Sequence, residues 1–235
     1  MCIRLASFLC RRKYVKVMSM KTRLKIDFVS DVVCPWCIIG LNSLQQALDA
    51  LKDDVEADLH FQPFELNPAM PPEGQDLNEH LSEKYGLTPQ QLAQNQETIR
   101  ERGEQVGFTF NLDKRTRTYN TFDAHRLLHW AEEHGRQLEL KRALFSAYFT
   151  DGENPGSHEV LMRLVREIGL DPEQAQAILG SDAYATAVRE RERFYQEHGI
   201  HSVPAVIIDD RYLIQGGQPA EAFEQALRQI VAQRA

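Results

Sequence analysis

The stretch SDVVCPWCIIG, residues 30 to 40, places two cysteines where a strand turns into a helix. Before it, RLKIDFVS alternates apolar and polar residues, which is typical of a half-buried strand. After it, apolar residues recur every three or four positions from Pro35 to Leu51. This spacing predicts an amphipathic helix, and proline is well tolerated in a first helical turn. Cys34 therefore stands at the start of a helix, and Cys37 follows one turn later.

A Cys-x-x-Cys pair in this position admits three interpretations. In a redox pair, Cys34 would lie at the helix N-terminus, where free N–H groups and the helix dipole favour a thiolate. Cys37 could then attack a mixed disulfide formed on Cys34. A zinc site would need two further ligands, which His125 and His129 could supply. Two buried structural cysteines are the third interpretation. The position at the helix start favours the redox pair, and we predict no metal.

The other segments predict an α/β fold with a helical insertion. VEADLHFQPFEL, residues 55–66, predicts a second strand that closes a β-α-β unit. Residues 76–198 are repeatedly helical, with breaks at Gly, Pro or Asp. In the tail, PAVIID and RYLIQGG predict a hairpin, and PAEAFEQALRQIVAQ predicts an amphipathic helix. We therefore expect one domain built from residues 23–75 and 199–235, with residues 76–198 as an inserted helical subdomain.

Composition and charge bear on compartment and partners. Four cysteines are too few for a disulfide-stapled scaffold. Residues 1–22 lack the charge order and apolar length of an export leader, so we expect a disordered extension or an upstream start. No stretch approaches the roughly 18 consecutive apolar residues of a membrane span. The net charge of −7 argues against nucleic acid or an anionic membrane as partner. We expect a cytoplasmic protein and leave its oligomeric state open.

The segment GIHSVPAVIID carries a second signal for redox chemistry. Val203-Pro204 precedes the strand that follows the helical block. A cis X-Pro bond at such a place is a deliberately kept loop geometry, whereas a trans proline opening an edge strand is the alternative. The cysteine pair and this dipeptide, in this order along the chain, favour the redox interpretation more than either does alone.

With these motifs in this order, the chain resembles the DsbA family of thioredoxin-fold oxidoreductases from about Leu24 to Val231. FELNP, NTFDAHRLLHWA, LFSAYFTDGENPGSHEVL and GGQP look closest to its FrnE-like branch of predicted dithiol-disulfide isomerases. More distantly, the chain is similar to 2-hydroxychromene-2-carboxylate isomerases and kappa-class glutathione transferases. Those relatives carry serine where this chain has Cys34. The resemblance implies a thioredoxin fold with a large all-helical insertion, and it implies thiol-disulfide exchange.

The resemblance also implies a role for each site residue. Cys34 would attack the substrate and Cys37 would resolve the mixed disulfide. The residues that would contact the substrate are Trp36, Val203, Pro204, Asn120 and His125. Three of these five residues could instead have a purely structural role. Trp36 could pack against its helix, Asn120 could cap a helix, and His125 could lie on the surface.

Three functions from different classes remain as hypotheses. A thiol-disulfide oxidoreductase or dithiol-disulfide isomerase needs both cysteines and acts on protein or small-molecule thiols and disulfides. It needs no cofactor beyond the Cys34 and Cys37 pair, although glutathione could serve as its reductant. A glutathione-dependent isomerase or transferase of a small aromatic substrate would tolerate loss of Cys37. A non-catalytic peptide-binding or chaperone-like module would tolerate loss of both.

Overall fold

The computed structural model describes residues 21–234, and a four-stranded mixed sheet lies at its centre. The strands, in spatial order, are β2 (Val55–Pro63), β1 (Thr22–Ser30), β5 (Ala205–Ile208) and β6 (Tyr212–Gln215). β1 pairs parallel with β2 and antiparallel with β5, and β5 and β6 form a hairpin. Helix α1 (Pro35–Ala50) packs against the last helix, α9 (Ala220–Ala232). The predicted β-α-β and β-β-α halves of the thioredoxin fold are confirmed.

The insertion between β2 and β5 is mainly helical. Its helices are α2 (Leu77–Tyr85), α3 (Pro89–Gln105), α4 (Phe122–Glu133), α5 (Gln137–Ser146), α6 (His158–Glu167), α7 (Pro172–Leu179) and α8 (Ala185–Glu197). A π-helical turn, Ala147–Asp151, extends α5. The structure adds a short antiparallel pair, β3 (Gln75–Asp76) with β4 (Arg117–Thr118). Two residues are too few to show a strand's alternation in the sequence, so periodicity could not have indicated this pair.

Local capping chemistry sets several helix starts. The Asp76 carboxylate accepts hydrogen bonds from two backbone amides in the first turn of α2. Thr88 and Gln91 form a reciprocal capping box at α3, and Asp171 caps α7. These side chains satisfy amide donors that a helix leaves unpaired at its N-terminus. Proline in the first turn of α1, α3 and α7 removes a donor that has no helical partner there.

The insertion packs directly onto the sheet. Strand β2 lies at the sheet edge, and Gln137 of α5 completes its pairing. The Phe61 amide donates to Gln137 Oε1 at 2.8 Å, and Gln137 Nε2 donates to the Phe61 carbonyl at 3.0 Å. One cluster of buried apolar side chains extends from β1 and α1 into α4 and α5. The helical insertion is therefore packed against the sheet and is not a separate unit tethered by a flexible linker.

The amino-terminal segment, with Cys2 and Cys10, lies outside the described residues, so the expected extension stays a prediction. In the part of the chain that the structure describes, no helix combines the length and the apolar character needed to cross a bilayer.

Candidate active site

The cysteine pair lies at the junction between β1 and α1. Cys34 is the N-cap residue of α1, with Pro35 beginning the helix. The Cys34 amide donates to the Asp31 carbonyl at 3.2 Å, and the Cys37 amide donates to the Cys34 carbonyl at 3.1 Å. Both cysteines are free thiols; Cys34 is 4% exposed and Cys37 is 0% exposed. The strand-to-helix turn thus places Cys34 nearer the surface and Cys37 beneath it.

The loop before β5 faces this pair. The bond between Val203 and Pro204 is cis. The Cys34 thiol donates to the Val203 carbonyl, with 3.7 Å between Sγ and O, although the two residues are 169 positions apart. The residues alone left cis and trans open, and the resemblance to the DsbA family implied a cis bond set against the cysteine pair; the structure has this arrangement. The predicted contact of Val203 and Pro204 with a substrate stays a prediction.

Two glycines allow α1 and two loops to approach closely beside the cysteines. A Cβ at Gly40 would lie 3.2 Å from the Pro204 ring and 3.2 Å from Gly217 Cα. A Cβ at Gly217 would lie 2.9 Å from the Trp36 carbonyl and 3.5 Å from the Trp36 ring. Trp36 is 36% exposed. Its indole therefore lies on the surface over Gly217, and its predicted contact with a substrate stays a prediction.

The structure corrects the expected position of His125. We expected it in the groove or on the surface, but it is only 3% exposed and faces the interior. Its Nε2 lies 3.4 Å from Oδ1 of Asp31, whose Oδ2 accepts from the Leu66 amide at 2.7 Å. Burial would raise the pKa of Asp31, but the His125 side chain and the Leu66 amide outweigh it and lower that pKa. His125 is therefore committed to an internal carboxylate, because a carboxylate buried without partners is costly.

Asn120 uses its side chain to begin a helix. Its Oδ1 accepts from the Phe122 amide at 2.9 Å, and its Nδ2 donates to the Met70 carbonyl at 3.2 Å. Thr121, the formal N-cap of α4, makes no capping bond with its side chain. Asn120 therefore caps a helix, which was the structural alternative to substrate binding. Both the oxygen and the nitrogen of its side-chain amide already have hydrogen-bond partners. A role for Asn120 in binding substrate stays a prediction.

Sequence reasoning missed Lys141, a lysine enclosed in the protein interior. It is 0% exposed, and burial lowers its pKa to about 8. The only indication in the sequence was that this lysine falls among the apolar positions of α5. The buried positions of that helix follow a core stripe, in which a lysine is unusual. They are Gln137, Leu140, Lys141, Leu144 and Phe145.

The surroundings of Cys37 favour its protonated form. Burial raises the pKa of the Cys37 thiol well above its ordinary range, and the adjacent Cys34 sulfur adds to this effect. The charge of Lys141 acts in the opposite direction. The thiolate is the nucleophile in thiol-disulfide exchange. For Cys37 to take part in such exchange, a neighbouring group must therefore stabilise its thiolate.

The two histidines considered as zinc ligands do not meet at the cysteines. His129 packs against the Tyr184 ring, with 5.3 Å between centroids, while His125 faces Asp31. Within residues 21–234, no three or more His, Cys, Asp or Glu side chains are grouped so that they could hold a metal ion.

Comparison with known proteins agrees with this geometry. A family model described as DSBA-like thioredoxin domain matches residues 25–228. A crystal structure of a probable DsbA oxidoreductase from Streptomyces coelicolor is 33% identical, covering 90% of this chain and 92% of that chain, with a TM-score of 0.82. The uncharacterized protein YwbO of Bacillus subtilis (strain 168) is 29% identical over 86% of this chain and 94% of its own length.

A third similarity shows the fold alone. The structure of the cytosolic disulfide reductase DsbM from Pseudomonas aeruginosa with GSH is 17% identical, with a TM-score of 0.60. The match covers 88% of this chain and 99% of that chain.

Proposed function

This chain belongs to the family of DSBA-like thioredoxin domains, and from that premise we propose that it exchanges thiols and disulfides through Cys34 and Cys37. The observation that carries the proposal is the placement of the Cys34 sulfur. It lies at the N-terminus of α1, 3.7 Å from the Val203 carbonyl, with Cys37 one turn below. A helix N-terminus stabilises a thiolate, and the thiolate is the attacking form.

The proposed reaction has two steps. In the first, the Cys34 thiolate attacks a substrate disulfide, forming a mixed disulfide and expelling one substrate sulfur as a thiolate. In the second, the Cys37 thiolate attacks the Cys34 sulfur, releasing the other substrate sulfur and leaving a disulfide between the two cysteines. The substrate gains two electrons and the pair loses them. An isomerase cycle ends differently, because the mixed disulfide is then resolved by another cysteine of the substrate.

The proposed substrates are disulfides in extended protein segments and in small molecules. Val203 offers a backbone edge beside the attacking sulfur, and a substrate strand could pair with it as strands pair at a sheet edge. Trp36, between the two cysteines in the sequence, adds an exposed apolar face. We assign the chain to the FrnE-like branch on its FELNP and GGQP segments.

Glutathione is the proposed reductant of the oxidised pair. The fold is shared with a cytosolic disulfide reductase whose structure was solved with GSH. In the cytoplasm, where we propose that the chain acts, the glutathione pool would return Cys34 and Cys37 to thiols after each turnover. The chain would then work as a reductase or isomerase and not as an oxidase.

Cysteine variants test the proposal. Cys34→Ser is expected to abolish reduction of insulin disulfides by glutathione. Cys37→Ser should still attack and should accumulate a mixed disulfide with its substrate, visible by mass spectrometry of the acid-quenched protein. A chain with Cys2 and Cys10 both changed to serine is the matched control and should keep full activity. Insulin reduction that survives Cys34→Ser would refute the assignment.

A further inference from the structure

The burial of the charged Lys141 side chain costs the folded protein free energy. Its ammonium finds no hydrogen-bond partner within residues 21–234. The nearest favourable contacts are the ring faces of Phe145, 5.2 Å from Nζ to the centroid, and Phe61, at 5.9 Å. Cation–π contacts offset only part of the cost of removing a charge from water. A methionine would fill a similar volume without that cost, so packing alone does not account for the lysine.

The groups around Lys141 come from three other elements. Asp31, Cys34 and Cys37 belong to the turn between β1 and α1 and to the start of α1, and all three interact electrostatically with the Lys141 charge. His125 and His129 of α4 share with Lys141 a cavity of about 10 Å³, which Phe61, Gln62 and Pro63 of β2 also line. That volume is about enough for one water molecule.

Of the three acidic groups, Cys37 has the weakest support apart from Lys141, because only a backbone hydrogen bond from Asp31 also favours its thiolate. The Asp31 carboxylate already accepts the Leu66 amide and lies beside His125. A thiolate at Cys34 is favoured by the N-terminus of α1, where Cys34 lies. Cys37 is 0% exposed, lies further into the helix, and has its charged form opposed by burial. Lys141 is fully buried and without a hydrogen-bond partner in the described residues, and it is the cation whose charge favours the Cys37 thiolate.

We propose that Lys141 is a positioning residue of the redox reaction, whose buried charge stabilises the Cys37 thiolate while Cys37 releases the substrate from Cys34. The inference rests on the proposed function and adds a role for the helical insertion, which supplies the charge. In the assisted step, Cys37 loses its proton and its sulfur forms a bond to the Cys34 sulfur. The bond from Cys34 to the substrate breaks, and the departing substrate sulfur takes the electron pair and, through water, the proton.

A chromogenic aromatic disulfide, 5,5′-dithiobis(2-nitrobenzoate), separates the two steps in the reduced full-length protein carrying Cys2→Ser and Cys10→Ser. This protein serves as the wild type for the experiment and as the parent of the variants, so that only Cys34 and Cys37 react. Attack by Cys34 releases the first coloured thiolate, and attack by Cys37 on the mixed disulfide releases the second. Stopped-flow absorbance records both. Lys141→Met is expected to slow the second release about tenfold at neutral pH, because the Cys37 thiolate loses the buried cation that favours it. The first release should change much less.

The dependence on pH distinguishes a charge effect from a packing effect. Lys141 loses its proton above a pH of about 8, so the advantage of the wild type over Lys141→Met should shrink there. Lys141→Gln, which also removes the charge, should behave like the methionine variant. Arg142→Met removes an exposed cation from the next position of α5 and should leave both releases unchanged.

The release rates from the stopped-flow experiment separate three outcomes. Equal second-release rates in the wild type and in both neutral variants would refute the role of Lys141 and leave the proposed function standing. A slowing that stays constant across the alkaline range would show a packing defect and would also refute it. A wild-type protein that releases no coloured thiolate would instead refute the proposed function, and this inference with it.

Discussion

Lys141→Met is expected to make the folded protein more stable while it slows the chemistry. Burial lowers the pKa of Lys141 from 10.5 to about 8. Each pKa unit corresponds to about 1.4 kcal/mol, so keeping this side chain charged costs the native state about 3 kcal/mol. In a chain of this size 1 kcal/mol moves the melting temperature by about 2–4 °C, so the variant should melt about 6–12 °C higher.

The sign of the pH dependence follows from the lowered pKa of Lys141. Below a pH of about 8 the side chain is charged in both the folded and unfolded states, and the whole cost is present. Between about 8 and 10.5 the folded protein loses its proton first, so the cost is progressively relieved. The stability gap between Lys141→Met and the wild type should therefore be widest at neutral pH and should close in the alkaline range.

Urea unfolding followed by circular dichroism at neutral and alkaline pH measures this gap. Arg142→Met is the matched control, since Arg142 is exposed on the same helix and donates to Gln45 at 2.7 Å. Surface changes of this kind usually stay within about 0.5 kcal/mol. If Lys141→Met proved no more stable than the wild type, or if the gap were independent of pH, the reasoning from an unpaired buried charge would be wrong.

Two further substitutions test the contacts that position the site. Gly40→Ala places a methyl group 3.2 Å from the Pro204 ring. It should cost about 1–3 kcal/mol in urea unfolding and slow insulin reduction, whereas Gln46→Ala on the exposed face of α1 should do neither. Gln137→Leu removes both partners of the Phe61 backbone, and each buried polar group left unpaired costs about 1–3 kcal/mol. Melting curves and faster hydrogen exchange of the Phe61 amide check this prediction, and unchanged protection of that amide would contradict it.

Several elements were predictable because their signals are local. The apolar spacing after Pro35 predicted α1, and alternation predicted β1 and the hairpin of β5 and β6. The position of the cysteines at the helix start follows from the same short segment. Val203-Pro204 was recognised by its order along the chain after the cysteine pair. None of these inferences required knowing which segments touch across the fold.

The interior of the site was not predictable in the same way. His125 and Asp31 are 94 positions apart, and no spacing rule connects them. Periodicity could at most have placed Lys141 on a core stripe of α5, and it could not have shown that the charge of Lys141 acts on the cysteine pair. No sequence pattern around Gln137 indicates that its side chain completes the pairing of an edge strand.

The sequence by itself determined where the two thiols stand in their helix, because a residue's position in its own helix depends on neighbours in the chain. It determined that Cys34 stands at a helix N-terminus and that Cys37 follows one turn later. Only the tertiary structure decided what surrounds them. Electrostatic interactions and hydrogen bonds depend on distance through space, so the influence of Lys141 on Cys37 exists only once α5 has packed against β2.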